Sequence, residues 1–275
     1  MIHILKSYLK FLWKSKNEHG VHSPFVYDLV TKCFYDKTNY SEYAILNNYR
    51  KSLLTNKNAI EVTDFGAGSR VFKSNTREVN KIAKTAGITS KNAELLFRIV
   101  NYFQPKNTLE IGTSLGLATS ALSLGYLKTK ITSLEGCPNT LSIAENHLQN
   151  SSINKDNIHF INTEFTQYLS SYNTQPTNYN FIYFDGNHSK KATLEYFELL
   201  LPTITNETVW IFDDIHWSKE MEEAWETIKK HATVKITIDT FQWGIVFFRQ
   251  EQEKEHFIIN PNKTLSSFLF EKIRF

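Results

Sequence analysis

Residues 109–116 have the sequence Leu109-Glu110-Ile111-Gly112-Thr113-Ser114-Leu115-Gly116. An apolar run that passes into a pair of spaced glycines indicates the end of a buried strand followed by a tight turn. Gly112 and Gly116 permit that turn and let the backbone approach a ligand closely. A helix is predicted to begin at residue 117, with its free N–H groups directed at whatever lies over the turn.

A second acidic residue, Glu135, ends the next apolar stretch. It lies one strand–helix–strand unit after Glu110, where a carboxylate can accept both hydroxyl groups of a ribose. The acid before the first glycine would repel a pyrophosphate, but it could bind an ammonium group directly or through water. The glycine spacing also differs from the G-x-G-x-x-G pattern of dinucleotide sites. This combination suits S-adenosylmethionine, which carries an amine, a carboxylate and a ribose.

At these residues the sequence resembles the class I S-adenosylmethionine-dependent methyltransferases. The resemblance covers residues 90–250, and the alternative interpretation is a glycine turn of some other α/β domain. The positions that the resemblance implies for the cofactor are Glu110, Gly112, Thr113, Ser114, Gly116, Glu135, Gly136, Glu164 and Asp185.

From residue 107 onward, predicted strands and helices alternate regularly. The predicted strands are 107–111, 130–135, 157–162, 179–185, 208–213, 233–239 and 243–249. The predicted helices are 117–127, 138–149, 163–170, 189–201 and 218–231. The last two strands must form an antiparallel hairpin, because a parallel pair needs a crossover of about a dozen residues. The predicted fold class is therefore α/β, a seven-stranded, doubly wound, Rossmann-like methyltransferase sheet with an antiparallel strand 7.

Composition narrows the class of protein. The 275 residues, 41% hydrophobic and 21% charged, are typical of a globular chain, and a net charge of +3 does not indicate a nucleic-acid partner. Two cysteines without a C-x-x-C motif suit a reducing compartment, so we expect a cytoplasmic protein without a transmembrane helix.

We expect a helical or lid extension at 1–90, a methyltransferase domain at 91–250 and a tail at 251–275.

The N-terminal extension contains three features of interest. Residues 1–16 form an amphipathic helix with four lysines, which could contact a membrane surface peripherally, pack on its own domain or mediate a homodimer. His19 and His22 could be ligands or the hydrogen-bonded imidazoles of a turn. The second glycine turn, residues 64–68, lacks a strand that ends in an acid at the right distance after it. We therefore predict a polar loop or hairpin near the active site there, and not the cofactor site.

Three carboxylates follow the predicted strands 4 and 5. Asp185 comes after the first of these strands, and Asp213 and Asp214 come after the second. Ligands of open α/β sheets bind outside the carboxyl ends of the strands, so these acids should face the same crevice as Gly112 and Glu135. Three converging carboxylates repel one another unless a cation lies between them, and oxygen ligands suit Mg²⁺, with Mn²⁺ or Ca²⁺ as alternatives. The other interpretation is that Asp213 or Asp214 caps a helix.

The segments 185–189 and 212–217 resemble the metal-dependent O-methyltransferases, both the catechol and caffeoyl-CoA type and the antibiotic sugar type. This resemblance implies that Asp185, Asp213 and Asp214 bind the metal, which holds the acceptor hydroxyl. The catechol type has a lysine base where His188 stands, and the sugar type has an acid where Asn187 stands. Because an imidazole accepts a proton near neutral pH, we predict His188 as the base, with Asp185 as the other catalytic residue and His216 as the second choice of base.

The predicted function is a divalent-metal-assisted O-methylation of a small-molecule hydroxyl, phenolic or sugar-like. The alternatives are a metal-independent methyltransferase acting on nitrogen or carboxylate, and a non-catalytic module that binds a membrane surface or a partner. A nicotinamide-dependent oxidoreductase is disfavoured by the glycine spacing. The aromatic residues Trp217, Trp243 and Phe241 either shape an acceptor pocket or belong to the core.

Overall fold

The computed structural model describes residues 2–65, 68, 72–172 (backbone only at 172) and 178–261. The interpretations that rest on Gly66, Ala67 and the tail segment 262–275 therefore lie outside the described residues. Within the described part of the chain, no helix has both the length and the apolar character that spanning a bilayer requires.

The N-terminal region is mainly helical, as the sequence predicts. Its elements are α1 (Ile2–Lys14), α2 (Pro24–Leu29), α3 (Glu42–Thr55), β1 (Ala59–Glu61), β2 (Thr76–Glu78) and α4 (Val79–Thr85). Ser23 caps α2 by accepting a hydrogen bond from the Val26 N–H, and Pro24 occupies the first turn, where it loses no helical hydrogen bond. Strands β1 and β2 form an antiparallel hairpin.

The remaining elements alternate between helix and strand. They are α5 (Ser90–Phe103), β3 (Asn107–Ile111), α6 (Leu117–Gly125), β4 (Lys130–Glu135), α7 (Pro138–Gln149), β5 (Ile158–Asn162), α8 (Phe165–Tyr172), β6 (Phe181–Phe184), α9 (Lys190–Leu200), β7 (Val209–Asp213), α10 (Lys219–Lys230), β8 (Ile236–Asp239), β9 (Trp243–Phe247) and β10 (Glu255–Ile258). The predicted alternation is confirmed, with element ends displaced by a few residues at most.

The main sheet has the strand order β10-β8-β9-β7-β6-β3-β4-β5. Strand β9 runs antiparallel to both β7 and β8, as the short connection requires. The sheet has one strand more than predicted, because β10 adds to β8 in parallel. This edge strand is largely exposed, so its side chains carry no apolar alternation that a sequence pattern could detect. Besides the backbone pairing, a 2.8 Å hydrogen bond between His256 and Thr237 of β8 and the partly buried side chains of Phe257 and Ile258 hold it in place.

Two apolar cores cover the two faces of the sheet. On β6, Phe181 and Tyr183 belong to one core and Ile182 and Phe184 to the other, because successive side chains of a strand point to opposite faces. The first core also contains buried residues of α5 and α6 and of α2, α3 and α4, so the N-terminal helices share the core on this face, and the ring centres of Phe25 of α2 and Phe247 of β9 lie 5.0 Å apart. The second core contains residues of α8, α9 and α10.

Helix α1 attaches at the β8–β9 end of the sheet. Tyr8 and Phe11 are buried against Phe241, with ring-centre distances of 4.9 and 5.5 Å. The Lys16 N–H donates a hydrogen bond of 2.8 Å to the Ile258 carbonyl, which ties the end of the helix to β10. One side of this helix therefore packs on its own domain.

Candidate active site

The glycine turn between β3 and α6 lies where three strands end. Gly112 has φ +105°, and a Cβ atom there would lie 2.4 Å from the main-chain oxygen of Asp185. Gly116 caps α6 with φ +75°, and a Cβ atom there would lie 2.8 Å from the Tyr49 hydroxyl. The Gly112 N–H donates to the Leu134 carbonyl at 3.0 Å. Both positions therefore require glycine, and the turn lies directly against the ends of β4 and β6.

The Glu135 carboxylate accepts hydrogen bonds from backbone N–H groups of this turn and of the connection after β4. One carboxylate oxygen accepts the Ser114 N–H at 2.7 Å, and the other accepts the Cys137 N–H at 2.8 Å. Burial raises the pKa of Glu135 above its usual value, although these N–H groups act in the opposite direction. Each carboxylate oxygen can accept a further hydrogen bond, so the group can still receive ribose hydroxyls.

Replacing Glu135 with Gln should weaken the binding of S-adenosylhomocysteine by about 1–3 kcal/mol, the range for hydrogen bonds to a charged group. The variant keeps the side-chain shape, but it puts a donor where two acceptors are needed. Isothermal titration calorimetry on the full chain measures the loss. The matched control is Glu145→Gln, on the exposed side of α7, which should bind like the unmodified protein. Equal affinity in both variants would remove Glu135 from the cofactor site.

Glu110 is completely buried beneath the turn. Its Oε2 accepts hydrogen bonds from Thr119 Oγ1 at 2.6 Å and from Ser133 Oγ, whereas its Oε1 has no hydrogen-bond partner among the described residues. Burial raises the pKa of Glu110 to about 8, although the two hydroxyl donors lower it. A cationic ligand bound beside the turn would give this buried oxygen the hydrogen-bond partner that it lacks.

The raised pKa of Glu110 makes the stability of the fold depend on pH. A group whose pKa is raised in the folded state contributes its full stability below its pKa in the unfolded chain, about 4.5. This contribution is lost as the pH rises to the pKa of the folded state, about 8. The variant Glu110→Gln lacks this dependence. Its free energy of unfolding relative to wild type should therefore rise between pH 5 and pH 8, by roughly 1–4 kcal/mol. Urea unfolding at several pH values tests this, and a difference that does not vary with pH would contradict it.

A cluster of titratable groups lies at the carboxyl ends of β6 and β7. One ligand atom from each of Asp185, His188 and Asp213 lies within 4.8 Å of the others. His188 Nε2 is 3.6 Å from Asp185 Oδ1. Burial and then the charge of Asp213 raise the pKa of Asp185 well above its usual value. Two neighbouring carboxylates of this kind are stabilised by a shared proton or by a cation.

Asp214 lies outside this group of three. The Gln242 side-chain amide donates 2.7 Å hydrogen bonds to one oxygen of Asp213 and to one oxygen of Asp214. Asp214 has φ +54°, which turns the chain away from β7. Ser218 is the residue that caps α10, by accepting a hydrogen bond from the Met221 N–H. The capping interpretation of the two aspartates therefore does not apply to this helix.

Gln242 is a site residue that the sequence does not predict. It lies in the turn between β8 and β9, distant in the chain from the two aspartates, and belongs to no recognisable motif. Only the antiparallel pairing of β7 with β9 brings it beside them.

His216 is held between two carboxylates. Its ring nitrogens lie 2.7 Å from Glu222 and 2.9 Å from Asp239, and its ring stacks on Phe241. Burial alone would lower the pKa of His216, but the hydrogen bonds to Asp239 and Glu222 outweigh it and raise the pKa to about 9. The imidazole is therefore protonated near neutral pH and is poorly suited to accept a proton from a substrate.

The other predicted positions are placed as follows. Glu164 is exposed and accepts hydrogen bonds from the N–H groups of Thr166 and Gln167, so its carboxylate caps α8. Trp243 and Phe241 are buried in the core, whereas Trp217 lies 6.1 Å from the His188 ring. His19 and His22 are both exposed.

The segment that leads into the second glycine turn lies against the connection between β4 and α7, directly after Glu135. A Cβ atom on Gly136 would be 2.7 Å from the Phe65 ring, and the Asn139 side chain donates a 2.7 Å hydrogen bond to the Glu61 carbonyl. Asp64 pairs with Arg77 at 3.4 Å. Asp64 and Phe65 therefore lie beside the end of β4, whereas the prediction for residues 64–68 as a whole rests partly on positions outside the described residues.

Together, the doubly wound sheet, the glycine turn and the acid at the end of the neighbouring strand define a Rossmann-like, nucleoside-binding domain. Residues 109–215 match the family described as a methyltransferase domain. The match and the fold agree with the predicted resemblance: residues 109–215 carry a methyltransferase domain, and the fold is that of solved S-adenosylmethionine-dependent methyltransferases. No curated protein matches the chain in sequence.

Solved structures with similar folds come from fungi and bacteria. The SAH-bound methyltransferase PaMTH1 of Podospora anserina is 11% identical, with a TM-score of 0.57, over 83% of this chain and 97% of that one. The O-methyltransferase of Bacillus cereus in complex with SAH is 16% identical, with a TM-score of 0.53, over 77% and 92%. The O-methyltransferase TomG of Streptomyces achromogenes, involved in tomaymycin synthesis and bound to SAM, is 14% identical, with a TM-score of 0.52, over 60% and 82%.

Proposed function

We propose that the protein transfers the methyl group of S-adenosylmethionine to a hydroxyl group of a small molecule, phenolic or sugar-like, with the help of a divalent cation. The observation that carries this proposal is the cluster of Asp185, His188 and Asp213 directly beside the Gly112 turn. Several structural neighbours are named as O-methyltransferases, which supports the same reaction.

The residues around the turn fit the cofactor. Glu135 offers acceptor oxygens for the ribose hydroxyls, and the unpartnered oxygen of Glu110 suits the amine of the methionine part. The glycines allow the backbone to approach the ligand. The protein's contribution to methyl transfer is then mainly to position the sulfonium and the acceptor oxygen in line.

The acidic cluster, which consists of Asp185, His188 and Asp213, fits a hard divalent cation. Asp185 and Asp213 would hold it, and Asp214 stands next to them across the Gln242 amide. A bound cation would lower the pKa of an acceptor hydroxyl. We propose Mg²⁺ or Mn²⁺, because carboxylate oxygens suit both ions. His188, 3.6 Å from Asp185, would accept the proton that the acceptor loses.

The test combines cofactor binding with metal dependence. Calorimetry should show S-adenosylhomocysteine binding in the presence of EDTA. Transfer of a labelled methyl group to a panel of phenols and sugars should stop in EDTA and return with Mg²⁺ or Mn²⁺. Full turnover in EDTA would show a metal-independent enzyme, and transfer only to amines or carboxylates would exclude the hydroxyl acceptor. A protein that does not bind S-adenosylhomocysteine would overturn the proposal completely.

We also propose that the enzyme works in the cytoplasm. Cys33 and Cys137 are both free and buried, and free thiols persist in a reducing compartment. Labelling of both thiols in protein that is unfolded directly from cell extract, without added reductant, tests whether they stay reduced.

A further inference from the structure

Helix α1 has a second apolar face, opposite the one that packs on the domain. This face consists of four exposed residues that recur at helical spacing. They are Ile2, Leu5, Leu9 and Trp13, and the exposed fractions of their surface are 74%, 50%, 57% and 85%. An exposed apolar stripe of this kind on a surface helix is typical of an interaction site. The packed side, through Tyr8 and Phe11, holds the helix in place.

A row of lysines runs alongside the stripe. Lys6, Lys10 and Lys14 are exposed and follow one another at intervals of four, so they share one side of the helix. The sequence of α1, IHILKSYLKFLWK, contains no acidic residue. The exposed surface of α1 therefore combines large apolar side chains, including a tryptophan, with positive charges that no acidic residue of the helix offsets. Helices that lie in the interface of an anionic bilayer have this composition.

The charge distinguishes between possible occupants of the stripe. A second copy of α1 would bring two lysine rows together with no acid on either helix to neutralise them. The chain's own tail is also a poor match, because residues 262–275 carry Lys263, Lys272 and Arg274 against Glu271 alone. An anionic lipid surface supplies both the apolar layer and the complementary charge.

We infer that α1 docks the protein on the surface of a membrane that contains anionic lipids, with the stripe of Ile2, Leu5, Leu9 and Trp13 inserted at the headgroup boundary. The packed side of the same helix contacts Phe241, which directly precedes Gln242, the residue that donates a hydrogen bond to Asp213. Docking thus places the membrane beside the element that supports the candidate active site. This inference does not depend on the reaction proposed above.

Vesicle co-sedimentation of the full chain tests the inference. The protein should bind phosphatidylcholine vesicles that contain about 30% phosphatidylglycerol, and should bind much less to phosphatidylcholine alone, because the lysines contribute electrostatically. Raising the salt concentration should release it. The double variants Leu9→Ser/Trp13→Ser and Lys6→Gln/Lys10→Gln should each lower the partition coefficient at least about tenfold.

The matched control carries the same kinds of substitution elsewhere on the surface. Leu127→Ser/Lys128→Gln alters an exposed leucine and lysine after α6 and should bind vesicles as the unmodified protein does. All variants should keep their affinity for S-adenosylhomocysteine, which shows that they are folded.

Three results would overturn the inference. The first is equal binding to neutral and anionic vesicles, or none to either. The second is a dimer in sedimentation velocity that Leu9→Ser/Trp13→Ser dissociates, since a second copy would then occupy the stripe. The third is vesicle binding that begins only after residues 262–275 are deleted, since the tail would then cover it.

Discussion

The variant Asp185→Asn is expected to lose methyl transfer by about 10³-fold, whereas its affinity for S-adenosylhomocysteine should change by less than about twofold. Asp185 belongs both to the glycine turn of the candidate cofactor site and to the acidic cluster of the candidate acceptor site. Its main chain packs on Gly112, and its carboxylate lies with His188 and Asp213 in the acidic cluster. The substitution keeps the backbone contact and removes only the charge. It should therefore impair activation of the acceptor and leave cofactor binding intact.

Thermal stability supplies the second readout for Asp185→Asn. Because the charge of Asp213 opposes ionisation of Asp185, removing one carboxylate should leave the melting temperature in EDTA unchanged or higher. Divalent metal should stabilise the wild type and have little effect on the variant. The control is Asp156→Asn, an exposed aspartate before β5, which should behave as the unmodified protein. Full turnover by Asp185→Asn would show that the cluster is not catalytic.

Gly112→Ala is expected to destabilise the fold by about 2–5 kcal/mol. Positive φ costs a residue with a Cβ atom about 1–2 kcal/mol, and forcing that atom into a packed region adds about 1–3 kcal/mol. At Gly112 the obstacle is the main-chain oxygen of Asp185, 2.4 Å from the new atom, and a strand end cannot move aside as a side chain can. Urea unfolding measures the loss directly.

The chain offers a close control for the glycine variant. Gly68 also has a positive φ, +78°, but a Cβ atom there would have no atom of the described residues within 4 Å. Gly68→Ala should therefore show only the backbone cost, about 1–2 kcal/mol at most. If the two variants lost the same stability, the contact between Gly112 and Asp185 would have no energetic weight.

Much of the architecture was determined by local sequence patterns. The strands β3 to β9 are apolar runs bounded by turn residues, and the helices between them begin at recognisable caps or prolines, such as Ser189 and Pro138. The glycine turn and Glu135 could be predicted because the residues that form them are close in the chain. The carboxylates after β6 and β7 were also predictable as neighbours, since the carboxyl ends of adjacent parallel strands meet at one edge of a sheet.

Tertiary structure alone decided which groups complete the site. Gln242 reaches Asp213 and Asp214 only through the pairing of β7 with β9, and His216 is protonated only because the fold places Glu222 and Asp239 on either side of it. The pKa of Glu110 likewise depends on complete burial. A sequence pattern reports periodicity and nearby partners, whereas hydrogen bonds and charges act through space between residues that lie far apart in the chain.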